Sequence, residues 1–267
     1  MSKPGAFVRE QTVLGRAPLV PEIALHLATE VTPIWQATEA WLAARNIDPP
    51  YWAFAWPGGQ ALARYVLDQP ARVRGRRVLD FAAGCGIAAI ACARAGAALV
   101  EAAEIDALAV AAIGENAVAN GVTVLAATDV VGAPCRWDLI LAGDVCYEAP
   151  MTTHVLPWLR RMAAECEVWL ADPGRAYLPR SGLVPLARYI VPTTLELECR
   201  TERETWLYRL ETGGARGDRV ERAQPSAVPN CGPGPLPFPG PAFRQVHTEH
   251  HTRSATEVSR RNKLRGP

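Results

Sequence analysis

The string VLDFAAGCGIAAI (78 to 90) places an aspartate, Asp80, just ahead of two glycines, Gly84 and Gly86. An apolar run followed by such glycines predicts a strand that turns into a helix. Glycine suits the turn because a Cβ would block a ligand lying against the backbone and would penalise a positive φ. The glycines alone leave the ligand open, since the same string fits the G-x-G-x-x-A dinucleotide fingerprint. Asp80 discriminates. A carboxylate ahead of the turn repels a pyrophosphate but attracts the cationic amino-acid end of S-adenosylmethionine, so a methyl donor is expected over a dinucleotide. The competing role for Asp80 is to cap the helix that follows.

Three further acids follow the same logic. Glu104 ends the next apolar run, 20 positions after Gly84, where nucleotide-binding α/β folds place an acid on the ribose hydroxyls. Asp106, two residues into the loop, is expected to cap a helix rather than touch the ligand. Asp129 is placed either to reach an adenine amino group or to make a turn.

A second acidic string, WDLILAGDVCYE (137 to 148), ends in Asp144, Tyr147 and Glu148. These should rim a reaction pocket, because ligands of doubly wound sheets sit at the carboxyl ends of the strands. Methylating an amine needs a neutral nitrogen, and a free lysine with a pKa near 10.4 pays about 4–5 kcal/mol for this at pH 7. Carboxylates at the mouth would attract the ammonium and help its proton leave, while a tyrosine or carbonyl would aim the lone pair. The NPPY-type string of enzymes that act on nucleic-acid amino groups is absent. Trp56, in the aromatic stretch Tyr51, Trp52, Phe54, Trp56, is expected to face the cofactor's sulfonium by cation–π attraction, with the other rings in the core.

Other reactive types offer less. His26 and His154 fall in stretches read as helical and are assigned to packing or surface. His247, His250 and His251 with Glu249 lie in a Pro- and Gly-rich tail, and no resident metal is expected. Seven scattered cysteines without a C-x-x-C pair suit reduced thiols in a cytoplasmic protein. No Ser-His-Asp or Cys-His arrangement stands out.

Positioning these residues requires an alternating series of elements. Strands are expected at 77–82, 98–104, 123–128, 138–143 and 167–172, with helices at 60–67, 87–96, 107–120 and 152–164. Such alternation implies right-handed crossovers and a parallel sheet. Residues 193–200 and 204–210 alternate apolar with polar and read as an antiparallel hairpin. Residues 22–45, with Ile23, Leu27, Ile34, Trp41 and Leu42 at helical spacing, read as a helical cap broken at Pro33. The expected organisation is a cap and aromatic segment (1–60), a core (61–212) and a disordered tail (213–267) in which 15 of 55 residues are Gly or Pro.

Composition closes off other classes. With 267 residues, 49% hydrophobic and 21% charged, the chain is neither a collagen-like nor a disulfide-scaffold sequence, and no apolar run is long enough to span a bilayer. Its 28 basic and 27 acidic residues give no field that would attract nucleic acid or lipid. Neither partner is expected. The balance hides a basic tail, with nine Arg/Lys against four Asp/Glu from Gly213 onward, and a body of net charge −4.

Four strings, YWAFAWPGGQALARYVLD (51–68), VLDFAAGCG (78–86), WDLILAGDVCYE (137–148) and ADPGRAYLP (171–179), together resemble the bacterial branch of the electron transfer flavoprotein beta-subunit lysine methyltransferases. The likeness spans roughly residues 7 to 211. Its glycine motif is widespread among methyltransferases, whereas WAFAWPGGQ and DPGRAYLP are far more specific. The resemblance implies a Rossmann-like class I methyltransferase fold, with a mostly parallel seven-stranded sheet, a C-terminal antiparallel hairpin and an N-terminal helical cap. It also implies methyl transfer from S-adenosylmethionine to lysines of that beta subunit, with other proteins as further substrates. By position, Trp56, Asp80, Gly84, Gly86 and Glu104 match the family's cofactor contacts. Asp144 to Glu148 match its acceptor-side motif, and Asp172 and Arg175 its substrate-facing loop. Ala107 and Leu108 stand where a proline is expected soon after the acidic pair, and the tail has no counterpart. The alternative is a small-molecule or nucleic-acid methyltransferase of the same fold, and behind it a cofactor-binding module or a dinucleotide oxidoreductase.

Overall fold

A computed structural model of the chain describes residues 3–37 and 39–212. The expected tail, with its histidine cluster, lies outside the described residues. The chain opens with helix α1 (Pro4–Gln11), strands β1 (Val13–Ala17) and β2 (Val20–Leu27), and two short helices, α2 (Pro33–Gln36) and α3 (Glu39–Ala43). A 3-10 turn (Tyr51–Ala53) then leads into α4 (Pro57–Asp68).

The core alternates as expected: β3 (Arg77–Phe81), α5 (Ile87–Arg94), β4 (Leu99–Ala103), α6 (Ala107–Ala119), β5 (Leu125–Ala127), β6 (Leu139–Gly143), α7 (Ala149–Met162) and β7 (Glu167–Asp172). It closes with β8 (Leu183–Pro192), the short helix α8 (Leu195–Glu198) and β9 (Glu202–Leu210). Among the described residues the main sheet has seven strands in the order β5-β4-β3-β6-β7-β9-β8. Strands β3 to β7 run parallel, and β9 enters antiparallel between β7 and β8.

Both faces of the sheet are covered, which is why its central strands read as continuous apolar runs. Side chains alternate across the sheet: Val78, Leu139, Leu141, Trp169 and Ala171 pack with α4 and α5 on one face. Leu79, Phe81, Ile140, Val168 and Leu170 pack with α7 on the other. A third cluster joins Val8, Ile34, Trp52 and Phe54 to Ala109 and Ala112 of α6.

Two expectations need correction. Residues 22–27 belong to β2, not to a helix, so the cap is a helix, a hairpin and two short helices. Ile23 and Leu27 fit helical spacing, but Val20, Ile23 and Leu25 are the residues buried. The backbone of β2 is met by side chains of α6: Asn120 Oδ1 accepts from Ala24 N at 3.0 Å, and Asn116 Oδ1 from His26 N at 2.7 Å. The closing hairpin is also displaced. Its first strand is 183–192, while the expected strand at 193–200 is the connection that carries α8. Pro185 and Pro192 obscured the true strand, yet β8 is the sheet's edge, where a missing N–H is tolerated.

Candidate active site

Strand order reverses between β4 and β6, on either side of β3, and the crevice at the carboxyl ends there is where such sheets bind ligands. Both central strands leave this edge through a non-glycine residue in the left-handed region: Ala82 (φ 53°) after β3 and Asp144 (φ 55°) after β6. Each conformation costs on the order of 1 kcal/mol and persists only where surrounding contacts hold it.

After Ala82, the turn runs through Gly84 (φ 55°) and Gly86 (φ 77°) into α5. A Cβ on Gly84 would meet open space, while one on Gly86 would lie 3.1 Å from Ile113. Gly84 N donates to Glu104 Oε1 at 2.7 Å, and Ile105 N to Oε2 at 3.2 Å. Glu104 thus ties the end of β4 to the glycine turn. Its carboxyl is pushed up to about 7, first by burial and then by Asp106. Asp80 is 3% exposed, and its Oδ2 accepts from Ala89 N at 2.8 Å, within the first turn of α5. Burial raises it to about 8, with Glu104 adding to the shift. Asp80 therefore does cap α5, and the same carboxyl faces the field of Glu104. Asp106 takes the capping role expected of it, Oδ1 accepting from Leu108 N at 2.8 Å. Asp129 is exposed and makes the turn, accepting from Val131 N at 2.9 Å.

On the β6 side, α4 presses its N-terminus against the strand end. A Cβ on Gly58 would stand 2.6 Å from Asp144 Oδ2 and 2.7 Å from Ala171 O. This close approach accounts for the WPGGQ string. Gly58 N donates to Asp144 Oδ2 at 2.5 Å, and Asp144 Oδ1 accepts from Arg175 Nη2 at 2.8 Å. Burial raises the Asp144 carboxyl and the Arg175 guanidinium opposes that rise. Arg175 in turn grips Glu198 of α8, Nη2 to Oε1 at 2.6 Å. Sequence reasoning missed Glu198. Its position in an alternating LELE stretch marked it as a strand surface residue, whereas its side chain is 2% exposed.

Tyr147, 40% exposed, places its ring 6.1 Å from that of Tyr51, which is itself 6.1 Å from Trp56. Trp56 is half-buried, its Nε1 donating to Tyr51 O at 2.9 Å. Burial, reinforced by Glu148, pushes both tyrosine hydroxyls above the usual phenol range. Glu148, half-buried ahead of α7, is raised by burial as well. Asp172, at the end of β7, accepts from Gly174 N at 2.7 Å and Arg175 N at 2.6 Å through Oδ1, while Oδ2 is buried without a partner. Elsewhere, His26 lies on β2, its Nδ1 3.3 Å from Thr12 Oγ1, and His154 is exposed on α7.

The carboxyl edge thus brings together Asp80, Gly84, Gly86 and Glu104 around the first turn, and Asp144, Tyr147 and Glu148 around the second, with Trp56 on the side of the second turn beside Tyr51 and Arg175. Comparison with known proteins bears on what this edge serves. Residues 60–143 match the ribosomal protein L11 methyltransferase (PrmA) family model. An electron transfer flavoprotein beta subunit lysine methyltransferase of Xenopus laevis is 40% identical over 196 residues, covering 70% of this chain and 78% of its own. The protein of that name from Danio rerio is 36% identical over 215 residues, covering 76% and 82%. Among solved structures, a Pyrococcus horikoshii putative RNA methyltransferase is 18% identical, with TM-score 0.46 over 61% of this chain and 89% of its own.

Proposed function

The chain belongs to the electron transfer flavoprotein beta subunit lysine methyltransferase family, and on that premise we propose that it carries methyl groups from S-adenosylmethionine to lysine side chains of an electron transfer flavoprotein beta subunit. The observation that carries the reading is the pair of carboxyls, Asp80 bonded to Ala89 N and Glu104 to Gly84 N, set around a left-handed glycine turn with open space before Gly84. These residues fit the donor. Asp80 would face its ammonium end, Glu104 its ribose hydroxyls, and the half-buried ring of Trp56 its positive charge. When bound, the donor supplies an activated methyl group on a sulfonium.

The chain's own residues do the rest on the acceptor side. Tyr51, Trp56 and Tyr147 form an aromatic lip that strips water from an entering ammonium, which favours the neutral amine. Glu148 attracts the cation and receives its proton for release to solvent, its raised pKa bringing it nearer that task. Tyr147, held protonated, keeps a donor and an acceptor available to orient the nitrogen. Asp144 acts by fixing the bend from which both project. The described cysteines, none of them in a disulfide, are in keeping with a cytoplasmic setting.

Incubation with donor and recombinant flavoprotein of the same source, followed by mass-spectrometric mapping, should place methyl groups on lysines of the beta subunit. Label appearing instead in small metabolites or RNA would reject the substrate assignment. Glu104→Ala should weaken S-adenosylhomocysteine binding about tenfold or more, whereas Glu148→Gln should leave binding intact and reduce turnover.

A further inference from the structure

Arg175 stands where three parts of the chain converge. Its Nη2 and Nε reach Asp144 Oδ1 at 2.8 and 3.2 Å, and its Nη2 and Nη1 reach Glu198 Oε1 and Oε2 at 2.6 and 3.1 Å. Its backbone N–H is held by Asp172, and its guanidinium carbon lies 6.0 Å from the centre of the Trp56 ring. Glu198 is gripped from the other side by Arg203 Nε at 2.8 Å. Water competes little here, since the side chains of Arg175, Asp144 and Glu198 are 17%, 11% and 2% exposed. A planar fork that meets two carboxylates fixes direction as well as distance, which an ammonium cannot do.

This ladder ends on a residue whose backbone needs holding. Asp144 is left-handed without being glycine, and both of its oxygens are taken, one by Gly58 and one by Arg175. The residues projecting into the acceptor side, Tyr147 and Glu148, follow three and four positions later. We propose that Arg175 is the positioning residue of the acceptor loop: anchored by Glu198 and Arg203, it locks the bend at Asp144 and so aims Tyr147 and Glu148 at the acceptor nitrogen. The proposal rests on the reading that residues 144–148 serve the acceptor. It gives α8 and the start of β9 a share in turnover although neither supplies a group to the reaction.

The test compares the full-length protein with Arg175→Met and Arg175→Lys on the flavoprotein acceptor. Arg175→Met should lower kcat roughly 10- to 100-fold while the KM for donor and the affinity for S-adenosylhomocysteine stay within about twofold. Arg175→Lys should recover part of the loss. The pH profile separates aiming from general loosening. The groups facing Asp144 are Arg175, Glu198, Asp172 and Cys146, with Arg203 beyond Glu198. Removing the adjoining guanidinium raises the protonation midpoint of Asp144, so the acid limb of kcat in Arg175→Met should move to higher pH. Hydrogen exchange should quicken at the amides of Gly58 and Asp144 and stay unchanged at residues 84–89. An unchanged kcat, a parallel loss of donor affinity, or a Lys variant no better than Met would overturn the proposal. If wild type leaves the flavoprotein unmethylated, the functional reading fails, and exchange at Gly58 and Asp144 then decides the role of Arg175 by itself.

Discussion

Burial keeps Asp80 and Glu104 partly protonated near neutral pH, at about 8 and about 7, and a cationic ligand prefers both ionised. Binding therefore expels protons. Affinity for S-adenosylhomocysteine should rise with pH from about 6 and level off above about 9, one unit beyond the Asp80 midpoint, with proton release visible in calorimetry buffers of differing ionisation heat. A flat profile would mean that neither carboxyl meets a cation. Folding carries the opposite sign. These two acids and Asp172, at about 7, hold protons more tightly folded than unfolded, so stability present near pH 4 is lost as pH climbs to about 8. The melting temperature of the ligand-free protein should fall between pH 5.5 and 8, and saturating ligand should restore more at the upper end. At Gly58 the limit is steric. Gly58→Ala drives a methyl into Asp144 Oδ2 and the Ala171 carbonyl, neither the free end of a long flexible chain, and should cost about 1–3 kcal/mol in urea unfolding.

At the level of elements, Asn116 connects regions far apart in sequence. Fully buried on α6, it accepts from His26 N of β2 and donates from Nδ2 to Cys85 O at 2.8 Å, between the two glycines of the turn. Asn116→Ala leaves both partners unpaired, at about 1–3 kcal/mol each. It should lower stability and ligand affinity together, and stability falling alone would show that the hairpin and the turn are independent. The parallel core was readable because its strands and helices carry separate periodicities and because Asp80, Glu104 and the glycines occupy fixed places in such a sheet. The hairpin of β1 and β2 was not, since Ile23 and Leu27 satisfy helical spacing, and its pairing depends on Asn116 and Asn120 some 90 residues away. Glu198 was hidden for a similar reason. A buried acid is intelligible only beside its arginines, and Arg175 and Arg203 reach it in space from the loop after β7 and from β9.

On the scale of the whole molecule, the last described strand ends at Leu210. The basic, Pro- and Gly-rich residues from Gly213 follow that last strand. Removing residues 213–267 should leave the melting temperature and methyl transfer unchanged, and loss of either would assign the segment a part in the fold or the reaction. The position of β9 makes the opposite case for its own nine residues. It is the last of the described strands to be synthesised, yet it lies inside the sheet, paired on one side with Trp169–Asp172 and on the other with the proline-bearing edge. A growing polypeptide leaving the ribosome must therefore hold the apolar EVWLAD strand with an open flank until β9 arrives. A stop codon shortly before Glu202 would release a product with that flank exposed, a template for cross-molecular pairing and a substrate for chaperones and proteases.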